Sequence, residues 1–431
     1  MKNKKPIIGF IILVFLILSY LFILIPQSLN NDGNDDDFNY KEDDLTPKGI
    51  RLTTFQNLNG TIILSWYTEK NAPAPLVEYS LNDDLSNNKS CNASYFNIHN
   101  THTYSVILND LIPNSTYFYR VMSDKYNYKE VSFFKSLPNR TSIKNFSFLV
   151  YGDSRTEVEE RTALANRMNN FSVEKNSDFS FHSGDIVEEG RIQSQWNNYF
   201  ENVEELYSHN IGLFLEGNHE RGLNTLMYNN LYPGFLDYKR YYSFVFGNCG
   251  FVILNSNGYY DSFQEDEQTD WLNKTLYEYS QENEINFVLL HHPLLSTRSD
   301  VEHRKEWPPL FQKYNVSCIF SGHNHHYERS YPIINQSSLD PENYTFYDSE
   351  KYNYEYLYDP IYFVSGGAGA PLYDTYDYEY IARAEKTHHF CFMEIIRQTS
   401  HTIISLEAWG MPIINSTYGD LQMFDNITIK I

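Results

Sequence analysis

Cysteine is scarce in this chain, and the four present, Cys91, Cys249, Cys318 and Cys391, never form a Cys-x-x-Cys pair. That excludes a disulfide-stapled miniprotein and a thiolate zinc site of the usual spacing. Basic residues are also few: 33 Lys+Arg stand against 55 Asp+Glu, a formal charge of -22. A surface of that sign repels phosphate backbones, so no nucleic-acid binding is expected. Charged residues reach only 20%, while apolar residues make up 42% and aromatics 16%, enough to bury a sizeable core. One uncharged run stands out. Pro6 to Pro26 is about 21 residues, or roughly 31 Å as a helix, the length needed to cross a bilayer.

Lys2, Lys4 and Lys5 precede that run, and Asp32, Asp35, Asp36 and Asp37 follow it. The positive-inside bias then makes residues 1–5 a cytoplasmic tail and 6–26 a transmembrane anchor, with the bulk of the chain extracytoplasmic. A cleaved signal sequence is the rival and would make the protein secreted, but it calls for a shorter apolar region and a small-x-small site that is not found here. Thirteen Asn-x-Ser/Thr sequons, Asn88, Asn145 and Asn273 among them, agree with an extracytoplasmic glycoprotein. Residues 27–46 are acidic and poor in apolar side chains, so they read as an extended linker.

Between 47 and 138 short alternating strands such as Thr61–Trp66 and Tyr117–Val121 are separated by Asn, Asp and Pro turns, with no helical periodicity. Trp66 on an early strand and the run Leu111–Tyr119 resemble a fibronectin type III-like sandwich with its tyrosine corner. From 143 to 431 the texture turns to β-α-β. Phe146–Val150, Asp178–His182, Ile211–Leu215, Asn286–Leu290, Ser317–Phe320 and Ile361–Val364 are strand candidates, with helices over 157–170, 192–207 and near 266–281. The predicted fold is therefore an N-terminal transmembrane helix, an all-β sandwich and an α/β domain of two sheets flanked by helices. The Tyr- and acid-rich stretch 340–380 reads as an exposed surface insertion without chemistry.

Five of the apolar strands run into polar loops: Gly152-Asp153-Ser154-Arg155, Gly184-Asp185, Gly217-Asn218-His219-Glu220, His291-His292-Pro293 and Gly322-His323-Asn324-His325. In an open α/β sheet such loops converge at one edge. Six of the fourteen histidines lie between 291 and 326, a clustering that metal ligation explains economically. Carboxylate, amide and imidazole donors together suit borderline or hard metals such as Fe, Zn or Mn. The donor count implies two ions, with a shared carboxylate and a bridging hydroxide aimed at phosphorus. That arrangement predicts hydrolysis of a phosphate ester.

In this order and spacing the motifs resemble the calcineurin-like metallophosphoesterase superfamily, most closely its purple acid phosphatase-like branch, over roughly 47–431. Gly217-Asn-His-Glu220, Gly322-His-Asn-His-His-Tyr-Glu-Arg-Ser330 and Phe363-Val-Ser-Gly-Gly-Ala-Gly-Ala-Pro371 carry the resemblance. It implies that Asp153 and His325 bind a first metal ion, that Asp185 bridges both ions, and that Asn218, His291 and His323 hold the second. It also implies that His219 contacts the phosphate and helps protonate the departing group.

Two positions depart from the branch. Purple members have a tyrosine three residues after the bridging aspartate, whose bond to ferric iron gives the colour; here that residue is Glu188, so a colourless protein is expected. The glycine of the first motif is Arg155, which stays protonated and cannot ligate a cation. Its guanidinium would either engage phosphate oxygens or pair with a carboxylate such as Glu188. Glu188 is itself a possible contact to the first ion. His182, His292 and His326 read as core or supporting residues, and His303, His388 and His389 have no motif support. The function expected is an acid phosphatase-like monoesterase. The alternatives are a phosphodiesterase or nucleotidase on the same site, or a surface adhesion protein that has lost catalysis.

Overall fold

The computed structural model describes residues 44–54, 61–220, 225–233, 240–257, 265–298, 305–335, 345–346, 352–355, 359–414 and 417–431. The expected N-terminal membrane helix is corrected: among the described residues no helix is long and apolar enough to cross a bilayer. Two helices of 18 residues, Val158–Lys175 and Glu265–Glu282, have the length, but charged and amide side chains run along both. Residues 6–26, on which the anchor and the outward-facing location rested, lie outside the described residues, and neither expectation is retained.

The first of these helices shows how local sequence sets the architecture. Arg161, Leu164, Ala165, Met168, Phe171 and Ser172 recur at helical spacing and form its buried stripe. It runs five residues past the expected end because Asn176 adopts a left-handed conformation (φ 56°) and closes the last turn, with its N–H on the Ser172 and Val173 carbonyls. The helix expected over 192–207 is broken at Val203 into Gln193–Asn202 and Glu204–Tyr207.

Two sheets face each other. In one, the parallel strands Asn145–Tyr151, Phe179–His182 and Gly212–Phe214 are flanked by the antiparallel strand His388–Arg397. In the other, Cys249–Ile253, Ile285–Leu289, Cys318–Ser321 and Ile361–Ser365 run parallel. Their inner faces meet through phenylalanines. The Phe148 ring lies 5.4–5.7 Å from those of Phe179, Phe181, Phe251 and Phe287, the last two from the opposite sheet. Strands buried on both faces need near-continuous apolar sequence, which is what these segments have.

Residues 48–135 form a β-sandwich. One layer is Lys48–Thr53, Ile62–Thr68, Thr101–Leu108 and Ser94–Ile98, and the other is Lys89–Asn92, Leu76–Ser80, Thr116–Met122 and Ser132–Lys135. Trp66 is fully buried and stacks on Tyr104 at 5.7 Å, while the Tyr117 hydroxyl accepts the Ile112 N–H at 2.9 Å, closing a corner of the kind expected there. The first layer does not stop at the domain edge. Thr53 pairs in parallel with Gly212, so one sheet of eleven strands runs through both parts of the chain. Arg51 clamps the junction: its Nε and Nη2 donate to the Asn230 carbonyl at 2.9 and 2.6 Å, and its guanidinium lies 4.0 Å from the centre of the Phe200 ring. Burial lowers Arg51 to about 9. Tyr119 adds a hydroxyl bond to the Ser208 carbonyl at 2.7 Å.

Candidate metal centre

Parallel strands of both sheets end on the same side, and the loops that follow carry the polar residues. Three of the side chains at the centre sit on backbone that L-residues rarely adopt: Asp153 (φ 59°), Asp185 (φ 55°) and His323 (φ 68°). Such conformations each cost of order 1–3 kcal/mol and persist only where the surroundings impose them, as they do in functional sites. The glycines beside them answer a packing demand. A Cβ on Gly217 would lie 2.2 Å from Asp185 Oδ1, and one on Gly322 2.4 Å from Asp153 Oδ2.

Four donor atoms are linked by close approaches. His291 Nε2 lies 3.2 Å from Asp185 Oδ1 and 3.0 Å from Asn218 Oδ1, and His323 Nδ1 lies 2.9 Å from the same amide oxygen. Donors about 2.1 Å from a common ion are roughly 3.0–3.4 Å apart, so the spacing fits a first-row metal. His291 Nδ1 donates to the Ser183 carbonyl at 2.8 Å, which fixes the ring and turns Nε2 inward. Ligand atoms of Asp153, Asp185 and His291 all lie within 4.8 Å of one another. Asp153 Oδ2 accepts the His323 N–H at 2.8 Å, whereas Oδ1 is buried without a hydrogen-bond partner, the orphaned acceptor expected of a cation site.

Burial and close charges shift these groups strongly. Burial pushes Asp153 well above the usual carboxylate range despite the nearby His291. Asp185, though equally buried, is held well below it by His291 and His219. Burial would lower His291, but Asp185 raises it to about 9. Burial and the charge of His291 lower His323 to about 3, and burial with the Arg155 charge lowers His325 to about 4, so both rings are neutral at ordinary pH.

His219 stands at the rim. Its Nδ1 donates to the Glu188 carbonyl at 2.6 Å, and its Nε2 is 3.7 Å from Asp185 Oδ2. Arg155 pairs with Glu188 at 2.5 Å and also reaches inward, with Nε 3.4 Å from Asp185 Oδ2 and Nη2 3.3 Å from His325 Nε2. His182 is a core residue bonded to Ser154 at 2.8 Å, and His326 bonds Glu328 at 2.9 Å. His292 lies closer to the centre than its sequence context suggested, its ring 4.5 Å from that of His323 and its Nδ1 2.9 Å from Ser256 Oγ. His303 lies outside the described residues.

Two important residues are not evident from sequence. Glu220 is buried, and its two carboxylate oxygens accept the N–H groups of Asp185, Ile186, Val187 and Gly217 at 2.8–3.1 Å, tying two site loops together. Burial and the Asp185 charge push its carboxyl up, against the pull of those four donors. The Gly-Asn-His-Glu run was the available signal. Tyr373 stacks on His325 at 4.2 Å and is itself covered by Arg298 at 5.0 Å, so the stretch read as an inert insertion supplies a wall of the site.

Comparison with known proteins accords with this geometry. Residues 146–327 match the calcineurin-like phosphoesterase family, so the fold and site define a calcineurin-like metallophosphoesterase domain. Residues 47–136 match the purple acid phosphatase N-terminal domain, and the chain fits the purple acid phosphatase-like branch. An uncharacterized protein of Mycobacterium tuberculosis is 22% identical, with 74% of this chain and 69% of that protein covered. An Arabidopsis thaliana protein named probable inactive purple acid phosphatase 1 is 25% identical over 62% of this chain and 49% of its own length. The yellow lupin purple acid phosphatase PPD1 shares the fold, with a TM-score of 0.71 at 19% identity over 89% of this chain and 74% of that one.

Proposed function

We propose that this chain hydrolyses phosphate esters with a metal ion held by Asp185, Asn218, His291 and His323. The close approaches among those four donor atoms carry the reading, and the purple acid phosphatase-like fold supports it. An ion there supplies Lewis acidity to a bound phosphoryl oxygen. His219, with its Nδ1–H committed to the Glu188 carbonyl, presents Nε2 to hold a proton for the leaving oxygen. The neutral rings of His323 and His325 line the cleft without repelling a cation.

The substrate class we assign is the phosphomonoester, as in acid phosphatases. Purified protein, depleted of metal and resupplied with Fe, Zn or Mn singly, should hydrolyse an aryl phosphomonoester faster than the matching diester. Asp185→Ala should abolish both. Undiminished hydrolysis in Asp185→Ala would reject the metal mechanism. No hydrolysis by the parent under any metal would favour a catalytically silent protein, as the names of some relatives suggest for those relatives.

A further inference from the structure

The two positions at which this chain leaves the purple pattern are in contact with each other. Arg155 replaces a glycine and Glu188 a tyrosine, and in the folded chain Arg155 Nη1 donates to Glu188 Oε2 at 2.5 Å, with Thr156 Oγ1 3.3 Å from the same oxygen. The pairing holds the guanidinium over the donors expected of the first ion. His325 donates its Nδ1–H to the Pro371 carbonyl at 2.8 Å, so its Nε2 carries the lone pair, and Arg155 Nη2 approaches that lone pair at 3.3 Å. Arg155 Nε is buried 3.4 Å from Asp185 Oδ2, an ion-pair distance without a hydrogen bond. Asp153 Oδ1, a third donor expected there, is buried without a hydrogen-bond partner.

We propose that Arg155 takes the place of the first metal ion, so that the centre works with one ion on Asp185, Asn218, His291 and His323 and a guanidinium as its second cation. The inference rests on the metal-dependent reading above and departs from the two-ion expectation. A guanidinium always carries its charge at neutral pH and has five N–H donors. Two meet Glu188 and His325, which leaves donors for a phosphoryl oxygen. A divalent cation beside Asp153 and His325 would meet that positive charge at contact distance and would have to evict Nη2 from the His325 lone pair.

The test is an ion count on the full chain. Metal-stripped protein re-equilibrated with Mn2+ and desalted should hold one ion per chain, with the paramagnetic resonance spectrum of an isolated Mn2+. His323→Ala should lose that ion and His325→Ala should keep it. The double variant Arg155→Gly with Glu188→Tyr should bind two ions and, loaded with ferric iron, gain a visible tyrosinate band that the parent lacks. Two spin-coupled ions in the parent would overturn the inference while leaving the hydrolase reading intact. No ion in the parent would overturn both, and loss of the ion in His325→Ala but not in His323→Ala would reverse the assignment. Should the double variant fail to fold, the parent count alone decides.

Discussion

Replacing Glu220 with glutamine keeps the size of the side chain and changes only what its two terminal atoms can accept. Four backbone N–H groups, from Asp185, Ile186, Val187 and Gly217, end on the two carboxylate oxygens. An amide oxygen serves two of them, and the amide NH2 then confronts the other two, donor against donor. Each buried N–H left unpaired costs about 1–3 kcal/mol, so Glu220→Gln should lose about 2–6 kcal/mol of folding stability. Burial and Asp185 already push the Glu220 carboxyl up, so part of this cost is present in the parent, which favours the lower half of that range. Against a total stability of roughly 5–15 kcal/mol the change is large. Urea denaturation followed by tryptophan fluorescence would measure it. Mn2+ affinity should fall as well, because Asp185 is held by its backbone to this carboxylate. A loss below about 1 kcal/mol would show that the loops around Asp185 are supported by something other than Glu220.

Three further expectations follow from the packing. Phe148→Ala empties the centre of the phenylalanine seam and should cost about 3–5 kcal/mol in denaturant; a cost under about 1 kcal/mol would mean the two sheets close up without it. Arg51→Met leaves the Asn230 carbonyl without its donor, and thermal unfolding should shift down as a single transition because the sandwich and the α/β part share a sheet; two separated transitions would show that the parts unfold independently. Burial would raise Glu328, yet its bonds from His326 and Thr297 hold it below the ordinary 4.5. Its contribution is therefore present above about pH 4.5 and lost as pH falls through the folded value. The stability gap between parent and Glu328→Gln should narrow in acid, and a gap that is constant down to pH 3 would contradict this.

The parts of the molecule legible in the sequence are those governed by short-range rules. An apolar strand followed by Gly-Asp or Gly-Asn-His identifies its own C-terminal loop, and Asp153, Asp185, Asn218, His291 and His323 do gather where strand ends meet. What escaped depends on contacts between distant segments. Nothing near Thr53 announces that it will pair with Gly212, and the pairing of Arg155 with Glu188 depends on how two loops are brought together across 33 positions. Tyr373 sits in a Tyr-rich tract whose composition says surface, while its ring covers His325. Helix ends were misjudged for local reasons: a left-handed Asn176 prolongs one helix and a non-helical Val203 divides another.

The shared eleven-strand sheet has a practical consequence for anyone dissecting this protein. Cutting near residue 140 to isolate the phosphoesterase portion would strip the Gly212–Phe214 strand of its neighbour on one side. A raw margin of unpaired peptide groups beside Phe200, no longer covered by Arg51, is an invitation to self-association. The shortened piece should precipitate or form multimers where the whole chain does not, and its lost activity would then reflect an uncovered edge and say nothing of what the sandwich contributes to chemistry.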